Sequence, residues 1–141
     1  LPGMNNAPVH PIVAQMLETD AMSRAMGVKV IESEPGKCVC RLTVRPDMVN
    51  GFGIAHGAVT YALADSTLAF AVNAMGRHAV STAGTIQHLQ AVRVGDVLTA
   101  TSTLVADGQK VVHVDVNVHN QDGVEVARLT ATGYKKSTSW D

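Results

Sequence analysis

The stretch AHGAVTYALADSTLAFAVNAMG, residues 55–76, decides the fold. A helix formed by it is apolar on every side, so other elements must cover most of its surface. Asp65 stands in its middle, and an ionised carboxylate between apolar neighbours is costly unless it is paired or hydrogen-bonded. Ser66, Thr67, a backbone amide or solvent could satisfy it, which would leave it without a function. We favour a functional carboxylate on a core helix, because burial makes an aspartate a stronger base.

Helix and strand patterns are found on both sides of this stretch. Residues 8–26 have the pattern of an amphipathic helix that ends at Gly27. Strands are predicted over 28–34 and 37–45, and a glycine-containing loop follows over 47–55. Further strands are predicted after the central helix, at residues 79–90, 97–105, 111–119 and 124–134.

The segment VVHVDVNVH, residues 111–119, shows the clearest strand periodicity. Its valines alternate with polar residues, which is typical of an antiparallel strand with one buried face. A single antiparallel sheet of about six strands, curled around the central helix, would cover that helix. The sequence therefore predicts an α+β domain. Because such a sheet has unpaired edges, and a second copy can pair with them, we also expect a homodimer.

Length and composition exclude several classes of protein. The chain has 141 residues, which fits one domain over 1–141, and 46% of them are apolar, which is enough for a sizeable core. Lys and Arg number 11 against 12 Asp and Glu, and they form no basic stripe, so no nucleic-acid partner is expected. Polar residues interrupt the long apolar stretch, so no membrane span is expected either.

The N-terminus and the cysteines bear on location. Leu1–Gly3, ahead of Met4, are interpreted as an expression remnant, and residues 4–14 as a partly ordered segment. The sequence shows no basic region followed by an apolar one, so no signal peptide is expected. Cys38 and Cys40 are too close to staple a loop and would share one face of a strand. We expect free thiols in a reducing compartment, and hence a cytoplasmic protein.

Gly57 lies where the central helix begins. Backbone N–H groups in a first helical turn lack intrahelical partners and carry partial positive charge. A glycine there lets a carbonyl oxygen approach the amide, although a glycine that simply enters a helix is an alternative. Eight residues separate Gly57 from Asp65, or about 12 Å along a helix axis. If both groups act on one carbonyl, they must come from opposite subunits.

A spaced motif resembles a known family. Asn50-Gly51, His56-Gly57 and Ala64-Asp65-Ser66 are similar to the pattern of the acyl-CoA thioesterases of the hotdog-fold superfamily, in particular the phenylacetate-degradation (PaaI-like) type. Asn50 stands six residues before His56, and Asp65 stands nine after it, as in that pattern. The resemblance extends over about residues 15–135. It implies the hotdog fold and hydrolysis of an acyl-CoA with an aromatic or medium-chain acyl group.

The resemblance also implies catalytic roles for four residues. Asp65 would activate water or attack the thioester carbonyl directly. The Gly57 amide would polarise that carbonyl. Asn50 would orient water or substrate, and His56 would position the thioester or the loop. The assembly would be a homodimer, paired further into a homotetramer through sheet faces.

Three more residues are candidates for substrate binding. Ser81 or Thr82 would hold the water beside the carboxylate, and Phe52 either lines an acyl pocket or packs in its own loop. No metal is expected, and the coenzyme A is part of the substrate rather than a cofactor.

The motif departs from the family at two places, and other functions are open. Ala58 replaces a glycine, and Gln90-Ala91 replaces an Arg-Pro whose arginine would contact coenzyme A, a role that Arg93 could take. The first alternative function is a hotdog hydratase or dehydratase acting on acyl thioesters. The second is a non-catalytic module that binds acyl-CoA.

Overall fold

The computed structural model describes residues 8–140. Its helices are α1 (Pro11–Thr19), α2 (Ala21–Met26) and α3 (Gly57–Asn73), with a short 3-10 turn at Pro46–Met48. Its strands are β1 (Lys29–Glu34), β2 (Lys37–Thr43), β3 (Arg77–His88), β4 (Val97–Asp107), β5 (Val111–His119) and β6 (Glu125–Ser139). The α+β class and the predicted order of strands around a central helix are confirmed. The interpretation of Leu1–Gly3 lies outside the described residues.

The six strands form one antiparallel sheet in the order β1-β2-β4-β5-β6-β3. The helix α3 packs on one face of this sheet and contacts every one of its six strands. The core lies between them, and the alternation predicted for β5 is confirmed, because its valines at 112, 114, 116 and 118 are all buried. Within residues 8–140, no helix combines the length and apolar content that a bilayer crossing needs.

The predicted helix over 8–26 is two helices rather than one. Asp20 adopts φ −80° and ψ 78°, which lie outside the helical region, and separates α1 from α2. Its carboxylate caps α2, because Oδ1 accepts a hydrogen bond from the Ser23 amide at 2.9 Å. The Ser23 hydroxyl lies 2.8 Å from the Ser66 hydroxyl and so joins α2 to the middle of α3. A polar residue with this capping ability interrupted an otherwise continuous amphipathic pattern.

The two cysteines lie on β2 as the sequence predicts. Both side chains are fully buried, and their Sγ atoms are 3.7 Å apart on one face of the strand. The hydrogen bond with Cys40, together with burial, raises the pKa of the Cys38 thiol well above its usual range. A buried thiol that stays protonated is a poor nucleophile, so Cys38 belongs to the core rather than to a reactive site.

Within the described part of the chain, the strand β3 is an edge of the sheet and pairs only with β6. Thr82 is an extra residue in this pairing, because Ser81 pairs with Gly133 while Ala83 pairs with Thr132. Five residues of β3 pair with buried positions of β6 and therefore face α3. They are Ala79, Ser81, Gly84, Ile86 and His88. The β-bulge at Thr82 is what allows both Ser81 and Gly84, three residues apart, to face the helix.

Candidate active site

The first turn of α3 presents a free backbone amide. His56 is the N-cap residue, with φ −61° and ψ 140°, and its Nδ1 accepts a hydrogen bond from the Ala58 amide at 3.0 Å. The preceding amide, that of Gly57, meets no acceptor within residues 8–140. Because partial positive charge gathers at a helix start, this unbonded N–H is suited to bind a carbonyl oxygen that becomes negatively charged.

A cleft of about 390 Å³ opens beside this amide. It is lined by Asn50, Ile54, Ala55, Gly57, Thr60, His88, Leu89, Gln90, Ala91 and Val92. The Asn50 Oδ1 atom accepts hydrogen bonds from the amides of Phe52 at 2.9 Å and Ile54 at 3.4 Å, which closes the loop as an Asx turn. The Asn50 amide nitrogen Nδ2 donates to no residue between 8 and 140, so it can donate to a ligand in the cleft.

Asp65 lies two turns farther along α3. Its side chain is half-buried, and its Oδ1 accepts a hydrogen bond from the Ser81 hydroxyl at 3.1 Å. The adjacent hydroxyls bond elsewhere, since Ser66 contacts a serine of α2 at 2.8 Å and Thr67 donates to a backbone carbonyl one turn earlier at 2.7 Å. Neither of these two neighbours therefore satisfies the Asp65 carboxylate, and its partial exposure leaves the alternative of solvent open.

Three of the predicted residues lie away from the cleft beside Gly57 and from Asp65. The Thr82 hydroxyl lies 3.2 Å from the Thr132 hydroxyl on the outer face of the sheet. Phe52 is 91% exposed on the single chain. The His56 ring lines a second cleft of about 300 Å³ between α2 and the start of α3, whose walls include Met22 and Met26. Their substrate-binding or positioning roles stay predictions.

The remaining groups form two clusters. We call Asn50, Gly57 and His88 the glycine half-site, and Asp65 with Ser81 the carboxylate half-site. Both half-sites lie where α3 faces the edge strand β3, but two helical turns, or about 12 Å, separate them. Within one chain they cannot contact the same small group of atoms.

Sequence reasoning gave no role to His88, Thr60 or Tyr61. The imidazole of His88 lies beside Gly57, so that a Cβ added to this glycine would be 3.1 Å from Nε2. Thr60 is buried, and its Oγ1 lies 3.4 Å from Nδ1 of His88. The Tyr61 hydroxyl would be 3.0 Å from a Cβ on Gly84. Gly84 was the sequence signal for the Tyr61 contact, because a glycine inside a strand often marks a close approach of another group.

Residues 8–140 contain no group of three or more His, Cys, Asp or Glu side chains that could hold a metal ion. His113, Asp115 and His119 alternate with the buried valines of β5 and so lie on its outer face. Their spacing along the strand keeps the two imidazoles about 20 Å apart.

Known proteins resemble this chain in sequence and in structure. The family described as the thioesterase superfamily matches residues 52–127. The acyl-coenzyme A thioesterase PaaI of Escherichia coli (strain K12) is 37% identical over 120 residues, which are 85% of this chain and 86% of the relative. The matched family region contains every residue of the two half-sites except Asn50, which precedes it.

Two solved structures extend the likeness to the fold. The E. coli PaaI protein from the phenylacetic acid degradation operon superposes with a TM-score of 0.88 at 32% identity, over 91% of this chain and 93% of that one. A hypothetical thioesterase from Streptococcus pneumoniae TIGR4, solved with coenzyme A, superposes with a TM-score of 0.81 at 27% identity, over 88% and 97% of the two chains.

Proposed function

Because this chain belongs to the thioesterase superfamily and has its hotdog fold, we propose that it hydrolyses acyl-CoA thioesters to a free acid and coenzyme A. The observation that carries the proposal is the Gly57 amide, which is unbonded at the start of α3 and opens into a cleft beside Asn50. A thioester carbonyl bound there would be polarised by the N–H group, as acyl transfer requires.

A homodimer would bring the two half-sites together. The inner face of β3 carries Ser81 toward one end and His88 at the other, with Gly84 between them. If two β3 edges pair antiparallel about a two-fold axis near Gly84, Ser81 of one copy lies beside His88 of the other. The carboxylate of Asp65 then approaches the Gly57 amide across the interface, and each dimer holds two complete sites.

The proposed reaction divides the chemistry between the two half-sites. Asp65 removes a proton from a water held by Ser81, and the water oxygen bonds to the carbonyl carbon. The carbonyl oxygen becomes negatively charged next to the Gly57 amide. The C–S bond then breaks, its electron pair leaves with sulfur, and the coenzyme A thiolate takes up a proton. Direct attack by Asp65 on the carbonyl remains the alternative, and neither path requires a cofactor.

The finer features of the proposal rest on other observations. The apolar cleft walls, which include Ile54, Leu89 and Val92, suit an aromatic or medium-chain acyl group. The free, buried thiols of Cys38 and Cys40 support a cytoplasmic location. The polar outer face of the sheet is the surface that we propose for pairing dimers into a homotetramer.

A thiol-release assay tests the proposed function. The wild-type protein is incubated with phenylacetyl-CoA, hydroxybenzoyl-CoA, straight-chain acyl-CoA esters and an enoyl-CoA, and free thiol and acid are measured. We expect hydrolysis of at least one saturated or aromatic ester. Hydration of the enoyl-CoA without thiol release would indicate a hydratase, and saturable binding with neither product would indicate a binding module.

A further inference from the structure

The imidazole of His88 lies beside Gly57 in the cleft. Its Nε2 would be 3.1 Å from a Cβ on Gly57 and its Cε1 3.3 Å, so the ring is in close contact with this residue. A Cβ lies about 2.5 Å from its own backbone nitrogen. Nε2 is therefore within about 5.6 Å of the Gly57 nitrogen, and one oxygen atom can lie about 3 Å from both.

The hydrogen bonds behind the ring determine which nitrogen of His88 faces the cleft with a proton. The buried Thr60 hydroxyl donates its one proton to the Gly57 carbonyl oxygen, which can only accept, at 3.1 Å. The contact of 3.4 Å between Thr60 Oγ1 and His88 Nδ1 is then a hydrogen bond that Nδ1 donates. A neutral His88 with this tautomer presents a lone pair at Nε2, whereas the imidazolium presents a second N–H.

We propose that His88, as its imidazolium, is a second catalytic hydrogen-bond donor to the thioester carbonyl oxygen, beside the Gly57 amide. This inference rests on the proposed hydrolysis of acyl-CoA. A lone pair at Nε2 would repel the oxygen as it becomes negatively charged, while an N–H on a cationic ring stabilises it. Thr60 is a positioning residue, because it holds Nδ1 and keeps Nε2 directed at the cleft.

The surroundings of His88 give this role a pH dependence with a definite sign. Among residues 8–140, no other residue lining the cleft is titratable or charged. The titratable Tyr61 of α3 faces the same strand at Gly84, and the residue of β6 opposite His88 is Ala127. In the proposed dimer, Asp65 of the partner subunit faces the ring. Turnover should therefore fall as rising pH removes the imidazolium proton.

Two substitutions of His88 separate a donor from a residue that only packs. His88→Phe keeps a planar ring and removes both nitrogens, and we expect kcat to fall about 100-fold with little change in KM. His88→Gln can place an amide nitrogen near the position of Nε2 and donate at every pH. We expect this variant to recover part of the lost kcat and to lack the alkaline decrease seen in the wild type.

Controls keep the result interpretable. His113→Gln changes a histidine on the outer face of β5 and should leave kcat and its pH profile unchanged. Thr60→Val keeps the buried volume and removes the hydrogen bond to Nδ1, so kcat should fall severalfold at constant KM. All variants are compared by thermal unfolding and by dimer content before kinetics are measured.

The outcomes distinguish this inference from the proposed function. A wild-type protein that releases no thiol from any acyl-CoA contradicts the proposed function. If the wild type is active, the inference is overturned by folded His88→Phe with kcat within about twofold of wild type, or by His88→Gln with an unaltered pH profile. If His88→Phe does not fold, the pH profile of His88→Gln decides alone.

Discussion

The two half-sites are built from different groups, although each of them includes one residue of α3. The glycine half-site consists of a backbone amide, a loop held by its own asparagine and a ring in contact with the helix start. Each of its groups is fixed by hydrogen bonds or close packing, as the bonds of Asn50 Oδ1 and the contact between His88 and Thr60 show. The carboxylate half-site consists of one half-buried side chain and one hydroxyl, Asp65 and Ser81.

This difference supports the proposed division of the catalytic steps between the two half-sites. A rigid array of donors is what the stabilisation of a developing negative charge needs, because its dipoles must already be oriented when the charge appears. A base that exchanges protons with water needs access to solvent and one partner to orient it. If both half-sites act on one thioester, the geometry of α3 requires two copies, because Gly57 and Asp65 lie two turns apart on this helix.

The largest effect should come from the carboxylate half-site. Asp65→Asn keeps the size of the side chain and can still accept the Ser81 hydrogen bond, but it removes the base. We expect kcat to fall about 10²- to 10⁴-fold with a modest change in KM, measured by thiol release. A kcat close to the wild-type value in folded Asp65→Asn would refute the role of this carboxylate.

The glycine half-site can be tested at the level of a single N–H group. Gly57→Pro removes the amide hydrogen. The first position of a helix tolerates proline, and the extended conformation of the preceding His56, with φ −61° and ψ 140°, is the one that a residue before proline adopts. Gly57→Ala places the same Cβ 3.1 Å from His88 but keeps the N–H, which makes it the matched control. We expect kcat of Gly57→Pro to be about 100-fold below that of Gly57→Ala. Equal kcat values in two folded variants would mean that the amide is not a donor.

Mixing the two defects tests whether the half-sites belong to different chains. Each dimer of Asp65→Asn with Gly57→Pro has one doubly defective site and one intact site. After complete subunit exchange at equal amounts, about a quarter of the wild-type activity should return, because half of the dimers are mixed. Verified heterodimers without any recovery would show that the site lies within one chain.

The smallest effect concerns the cap that leaves the Gly57 amide free. His56→Ala removes the acceptor for the Ala58 amide, and we expect the free energy of unfolding to fall by about 1 kcal/mol in chemical denaturation. His56→Asn supplies another capping side chain and should recover most of this loss. If the alanine variant is as stable as the wild type, the cap contributes nothing measurable.

The sequence predicted the fold well where one periodicity dominates over many residues. The alternating valines of β5 and the uniformly apolar α3 each admit one arrangement, and together they require a sheet around a helix. The break at Asp20 was missed because its evidence is a single cap inside an amphipathic pattern. Residue spacing alone was also sufficient to separate Gly57 from Asp65 by two helical turns.

The site was predicted less completely because part of it depends on contacts between distant segments. His88 meets Gly57 only because β3 runs past α3 in one particular register, and no local pattern encodes that register. The choice between Ser81 and Thr82 depends on the bulge in β3, which shows itself only through the pairing with β6. Ser81 contacts Asp65, and the role of Thr82 in substrate binding stays a prediction.

The alternation of β3 on either side of its bulge makes the length of the strand a constraint on evolution. Loss of Thr82 itself would remove the bulge and keep Ser81 facing the helix, but a one-residue deletion elsewhere between Ser81 and His88 would turn over every side chain on the N-terminal part of the strand. After such a deletion Ser81 would point to the outer surface, and Val80 would occupy its place next to the carboxylate. Insertions and deletions should therefore be tolerated in the turns around this strand and selected against within it.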